Sequence, residues 1–147
     1  MNRWLGSINH ASITVSNLDD AMAFFSPWLD FLGYTHHERG SHAETRVAIN
    51  LNPSTNIAFN IWEAKGALAK HKFEVYEPGL HHIAFNADTH ARVDQMAALV
   101  EKLGGIILDG PGEFPFGLGG YYAVYFLGPD GLKFEFVHMP ALAEHYA

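Results

Sequence analysis

Two histidines and a glutamate, His10, His82 and Glu135, are the residues whose types and placement suit chemistry at a metal ion. Two imidazoles and one carboxylate offer nitrogen and oxygen donors to a divalent ion and leave about three positions of an octahedral ion open to water or substrate. The run Ile8-Asn9-His10-Ala11-Ser12-Ile13-Thr14-Val15 is answered by Leu80-His81-His82-Ile83-Ala84-Phe85-Asn86-Ala87, so that His82 follows His10 by 72 positions. Alternate side chains of a strand share one face. Ala11, Ile13 and Val15 claim the apolar face of the first run and leave His10 on the polar one; Ile83 and Phe85 do this for His82, and Phe134 and Phe136 for Glu135. If those polar faces curl into a cup, the three donors meet there. With no cysteine in the chain, disulfides, thiolate-bound zinc and a cysteine nucleophile are excluded.

The elements that must position these residues follow from the same duplication. Each run leads into an amphipathic helix that ends at a glycine, Gly33 in the first half and Gly104 in the second. Asn17 is placed to cap the first helix, with Asp19 and Asp20 favouring its positive end. Ala21, Phe24, Phe25, Trp28 and Leu32 form its buried stripe, and Pro27 is expected to kink or restart it. Strands are expected over 34–38, 44–50 and 57–62, with turns at Arg39-Gly40-Ser41 and Asn52-Pro53-Ser54-Thr55-Asn56. The second half reads as a strand over 80–86, a helix from about Thr89 to Leu103 with Val93, Met96, Val100 and Leu103 inward, a short strand at Ile106–Leu108, and strands over 121–127 and 132–137 around Gly128-Pro129-Asp130-Gly131. Gly110 to Gly120, with five glycines and two prolines, reads as a loop and a candidate lid. The expectation is an α+β fold: two tandem βαβββ modules, about 8–62 and 80–138 with a connection over 63–79, in one domain spanning 1–147, forming a cupped mixed sheet with helices on its outer face.

The 147 residues, 48% of them hydrophobic and 14% aromatic, suffice for a substantial core. No apolar stretch approaches the roughly 20 residues that cross a bilayer, and residues 1–7 lack the pattern of a secretory signal. A soluble, cytoplasmic protein without membrane partners is expected. A net charge of −7 without a basic stripe argues against nucleic acid, which leaves a small molecule as the partner.

Several motifs resemble the vicinal oxygen chelate superfamily, which includes glyoxalase I, bleomycin- and fosfomycin-resistance proteins, methylmalonyl-CoA epimerase and extradiol dioxygenases. They are Ile8-Asn9-His10 with Leu18-Asp19 and Phe24-Phe25, Leu80-His81-His82-Ile83-Ala84-Phe85, and Gly128-Pro129-Asp130-Gly131-Leu132-Lys133-Phe134-Glu135. The resemblance covers nearly all of Ile8 to His138 and implies that His10, His82 and Glu135 are metal ligands for Fe, Mn, Ni, Co or Zn. It also implies a homodimer whose cup combines the first module of one chain with the second of its mate. Laying Ile57-Ala58-Phe59-Asn60-Ile61-Trp62 over Leu132-Lys133-Phe134-Glu135-Phe136-Val137 makes Asn60 the counterpart of Glu135, where glyoxalase I carries an acid and the epimerase an amide. A three-ligand site is favoured over glyoxalase I activity, with Asn60 reaching a bound water or substrate. Tyr125, ten residues before Glu135, is similar to the active-site tyrosine of extradiol dioxygenases. Those enzymes, however, use longer chains and a further histidine for which His71 is a poor match.

The remaining aromatics and histidines have simpler readings. Tyr121 and Tyr125 share one strand face and Tyr122 takes the other; all three suit a half-buried strand, and Tyr125 tips the cup-facing set to Tyr121 and Tyr125. His36, His37, His42, His71, His90 and His145 read as surface residues, His81 as pointing away from His82, and His138 as a strand end or second partner. Gly117, Gly119 and Gly120 are no phosphate loop, because a strand rather than Lys-Ser/Thr follows. The leading functional expectation is a metal-dependent enzyme, glyoxalase-like lyase or isomerase or dioxygenase-like, that chelates vicinal oxygens of a small substrate. Glu135 or a bound water would be its base and Tyr125 its hydrogen-bond donor. The alternatives are a metal-free sequestration protein of bleomycin-resistance type and a metal-free interaction module.

Overall fold

The computed structural model describes residues 5–117 and 119–139; His145 lies outside them. The order of elements is β1 (His10–Val15), α1 (Leu18–Phe31), β2 (His36–His42), β3 (Thr45–Asn52), β4 (Ile57–Glu63), β5 (Ile83–Asn86), α2 (His90–Lys102), β6 (Ile106–Phe114), β7 (Tyr121–Leu127) and β8 (Lys133–His138), with short 3₁₀ turns at Gly66–Lys70 and Pro129–Gly131. Two tandem βαβββ modules of an α+β fold result. The chain divides into two compact units between His71 and Lys72, each with a four-stranded mixed sheet, in the orders β1-β4-β3-β2 and β5-β8-β7-β6.

The repeat extends to register. β1 pairs in parallel with β4 so that Ser12 stands beside Asn60, and β5 pairs in parallel with β8 so that Ala84 stands beside Glu135. On their other sides Ile49 faces Asn60 and Tyr125 faces Glu135. Ser12 and Ala84 have the same spacing as His10 and His82, so Asn60 occupies in the first unit the position that Glu135 holds in the second.

Local chemistry explains the helix boundaries. The Asn17 side chain accepts a hydrogen bond from the Asp20 N–H, and the Thr89 side chain accepts one from Arg92 N–H, satisfying donors that a helix start leaves without partners. Both helices end before a glycine of positive φ, Gly33 and Gly104. In the first unit Phe25, Trp28, Leu29, Phe59 and Ile61 are buried beneath α1; in the second Val93, Met96 and Val100 of α2 join buried Val124, Phe126, Phe134 and Phe136. Leu29, rather than Leu32, completes the buried stripe of α1.

Four expectations from sequence are corrected. α1 runs through Pro27 without a break. Arg39, Gly40 and Ser41 continue β2 instead of turning it; the turn is Ala43-Glu44, both at positive φ, between the paired residues His42 and Thr45, as a two-residue hairpin requires. The strand proposed to end at Leu108 runs to Phe114, because a bulge between Ile107 and Gly112 lets it resume pairing with β7. At that bulge Gly110 has φ +79, and an added Cβ would lie 2.4 Å from the Ala123 carbonyl oxygen, so only glycine fits. The first part of the candidate lid, Gly110 to Phe114, is thus β-structure, and the connection from β6 to β7 begins only after Phe114. Lastly, His81 and His82 precede β5 and do not face opposite ways.

Candidate metal and substrate site

Glu135 is the chemical centre of the second unit. It sits mid-strand in β8, only 1% exposed, and a carboxylate so buried is costly unless hydrogen-bonded and paired. Tyr121 Oη donates to its Oε1, and His82 Nε2 lies 3.1 Å from its Oε2. Tyr121 and Glu135 approach across the β7–β8 ladder, where Tyr125 is the residue directly opposite Glu135. Burial, followed by the hydrogen bond to Glu135, pushes the Tyr121 phenol well above its ordinary range, which keeps it a donor. Tyr125 Oη reaches Tyr121 Oη at 3.5 Å, and burial raises its pKa as well. Its ring stands edge-on to His82 at 6.1 Å.

Sequence reasoning placed Tyr121 and Tyr125 on one face, and in the second unit they share it. It gave the catalytic role to Tyr125, which pairs opposite Glu135, and did not single out Tyr121, the close donor to the carboxylate. The signal available was parity: two tyrosines of one strand at a spacing of four lie on the same side, and only the depth of each along the ladder separates them.

His82 is half-buried and its Nδ1 lies 2.7 Å from Nδ1 of His81. The exposed Tyr76 ring packs edge-on against His81 at 5.3 Å. Burial, then the charges of Lys133 and His82, lower the His81 pKa and favour its neutral ring. Beyond Tyr125 an aromatic surface continues: Phe114 meets Tyr125 at 5.2 Å, Phe116 meets Tyr121 at 5.5 Å, and the two phenylalanine rings lie parallel at 5.8 Å. Phe116 is 49% exposed, and Lys133 Nζ lies 5.3 Å above the Tyr125 ring centre.

In the first unit His10 is exposed, with Nδ1 2.8 Å from Asn9 Oδ1. Asn60 Nδ2 reaches Ser12 Oγ at 3.4 Å, while Asn60 Oδ1 is buried without a hydrogen-bond partner among the described residues. A buried carbonyl of this kind is an acceptor awaiting a donor.

Among the described residues no cluster of three or more His, Asp or Glu side chains is assembled for an ion; the second unit presents the pair His82–Glu135, and His10 belongs to the first. The pair suits a divalent ion. Neighbouring donors of an octahedral ion, each about 2.1 Å from it, stand about 3.0 Å apart, close to the 3.1 Å between His82 Nε2 and Glu135 Oε2. With Oε1 taken by Tyr121, Glu135 offers one oxygen. Four other histidines have partners of their own. His36 bonds Glu38, His37 lies between Asp30 and Asn50, and His90 stacks on Tyr122 at 4.2 Å with His138 against its edge.

The chain fits the family model of the Glyoxalase/Bleomycin resistance protein/Dioxygenase superfamily over residues 7–136. It is 28% identical over 131 residues to the uncharacterized protein YqjT of Bacillus subtilis (strain 168), covering 88% of this chain and 97% of that one. Among solved structures, a glyoxylase/bleomycin resistance protein/dioxygenase domain from Frankia sp. EAN1pec matches with a TM-score of 0.77 at 23% identity, over 92% of this chain and 98% of that one. A mutant of the fosfomycin resistance protein FosX from Listeria monocytogenes, complexed with Mn(II) and 1S,2S-dihydroxypropylphosphonic acid, matches with a TM-score of 0.62 at 19% identity, over 97% of this chain and 98% of that one.

Proposed function

Because the chain belongs to the Glyoxalase/Bleomycin resistance protein/Dioxygenase superfamily, we propose that it is a metal-dependent enzyme acting on a small molecule with two adjacent oxygens. The residues that would hold the ion are His82 and Glu135 of the second unit with His10 of the first. The observation that carries this reading is the buried Glu135 carboxylate with His82 Nε2 3.1 Å from Oε2, the separation of two neighbouring donors of one ion. A divalent ion held there supplies Lewis acidity, spreading the negative charge that develops on substrate oxygens.

The protein's own groups have separate tasks. Tyr121 holds Glu135 Oε1 and so orients the carboxylate. The Tyr125 hydroxyl, with its pKa raised by burial, remains protonated and donates to developing oxyanion charge. Phe114, Phe116 and the Tyr125 ring present apolar surface to the carbon skeleton, and the unpartnered Asn60 carbonyl accepts a hydrogen bond from substrate or water. Similarity to FosX, whose structure contains Mn(II) and a molecule with two neighbouring hydroxyls, supports the same reading. A cytoplasmic homodimer is the form we expect of it; a monomeric mass by light scattering for protein that still binds metal would remove the dimer.

The second reading is ligand sequestration without catalysis, favoured by the partly exposed Phe114–Phe116 surface. Elemental analysis of untagged protein purified without chelators separates the two. Near-stoichiometric Fe, Mn, Ni, Co or Zn that is lost in His82→Ala is the expected result. Absence of metal from both proteins, even after reconstitution, would overturn the enzyme in favour of sequestration.

A further inference from the structure

Each histidine assigned to the ion has its Nδ1 engaged by the residue immediately before it. His10 Nδ1 lies 2.8 Å from Asn9 Oδ1, and His82 Nδ1 lies 2.7 Å from His81 Nδ1. Asn9 and His81 are themselves equivalent positions of the repeat, separated by the offset that carries His10 onto His82. Neighbours in a regular strand point to opposite faces, so this contact needs irregular backbone. In the second unit it has it, since Leu80, His81 and His82 follow Gly79 at φ +147 and precede β5.

From this recurring contact we propose that Asn9 and His81 are positioning residues: each accepts the Nδ1 proton of the following histidine and so leaves that histidine's Nε2 as the bare nitrogen for a divalent ion. In the first unit the assignment follows from donor chemistry. A carbonyl oxygen only accepts, so His10 must carry its proton on Nδ1, and a neutral imidazole has one proton to place. In the second unit the Nδ1–Nδ1 contact requires one ring to donate and the other to accept. His82 donates there whenever its Nε2 serves as a ligand, and His81 then keeps its own proton on Nε2. Tyr76, packed against His81, holds the accepting ring in place. Partners of this kind fix a ligand's tautomer and ring orientation, and removing one typically weakens metal binding about 10–100-fold.

This inference rests on the proposed metal site, and the test keeps the two apart. Mn(II) binding is titrated on the whole protein for wild type, His81→Leu, His81→Asn and Asn9→Leu, with thermal unfolding as a control for folding. The Leu variants are expected to bind about 10–100-fold more weakly. His81→Asn restores an acceptor, the side chain already used at position 9, and is expected to recover most of the loss. ¹⁵N spectra of the Zn(II)-loaded wild type are expected to show His10 and His82 protonated on Nδ1. Leu variants binding as tightly as wild type, or the His82 proton found on Nε2 in the loaded protein, would overturn the positioning role and leave the metal site standing. A wild type that takes up neither Mn(II) nor Zn(II) would overturn both.

Discussion

The two units share element order, the register of β1 with β4 and of β5 with β8, helix caps and the equivalent histidines His10 and His82, yet they differ at the centre of the sheet. There Glu135 of the second unit has two side-chain neighbours, the donor Tyr121 and His82, whereas Asn60 of the first has a long contact to Ser12 and a carbonyl without a partner among the described residues. Across from them stand Tyr125 and Ile49. Duplication supplied two similar frames, and the pairing of β1 with β4 and of β5 with β8 presents the same positions in each. Specialisation then needed only side chains, because a ladder is held by backbone groups that do not depend on residue type.

The units also differ in how the first turn of the helix is tied to the sheet. In the first, Glu63 at the end of β4 accepts from the Leu18 N–H and from Arg46, and Arg46 reaches on to Asp19 at 2.8 Å. The equivalent positions of the second unit carry aromatics. Tyr122 replaces Arg46, donates to Asp94 at 2.7 Å and stacks on His90, while His138 replaces Glu63. One latch is ionic and the other is a ring stack.

The largest effect should come from exchanging the central residues. Glu135→Gln is expected to weaken Mn(II) binding by more than about 100-fold, beyond the loss typical of a second partner, while Asn60→Ala changes it by less than about 10-fold. Equal losses in equilibrium titrations would break the asymmetry between the units. Next in size, Tyr121→Phe removes a donor from a buried carboxylate and should cost about 1–3 kcal/mol of stability by urea denaturation. Tyr125→Phe should cost less, since Tyr121 is the close donor to the carboxylate and the Tyr125 hydroxyl stands at a long 3.5 Å from Tyr121 Oη; the reverse order would return the central role to Tyr125.

The latches should separate by pH. The Arg46 hydrogen bonds, then that from Leu18, hold the Glu63 carboxyl down to about 2, below its ordinary 4.5. A carboxylate with a lowered pKa stabilises the fold fully above its ordinary value, and that contribution disappears as pH falls from about 4.5 toward 2. Replacing Glu63 with Gln should therefore flatten the fall of the melting temperature across that window. The Tyr122 phenol is shifted the other way, raised by its hydrogen bond to Asp94, so its contribution persists at acid pH and is lost only as the solution becomes alkaline beyond about 10. Melting curves of Tyr122→Phe that differ from wild type only below pH 5 would contradict this. The smallest change is at the caps: Asn17→Ala and Thr89→Ala should each cost about 1 kcal/mol, with similar losses from the two units in chemical denaturation.

Much of this was legible from sequence because it is local. The 72-residue offset, the apolar alternation beside His10, His82 and Glu135, the cap Asn17, the helix start near Thr89 and the closing glycines Gly33 and Gly104 are each set by a few neighbouring residues and the period of a strand or helix. The equivalence of Asn60 and Glu135 was also accessible, since an alignment of the halves implies it. The continuation of β6 beyond its glycines and prolines, the turn at Ala43-Glu44 and the unbroken α1 across Pro27 were not, because pairing with a neighbouring strand or packing on a sheet overrode the local breakers. Which tyrosine meets Glu135, and the meeting of His81 with His82, were decided by tertiary structure alone. Those contacts depend on depth along a ladder and on ring orientation where a strand has not yet begun, and alternation in sequence specifies a face but neither of these.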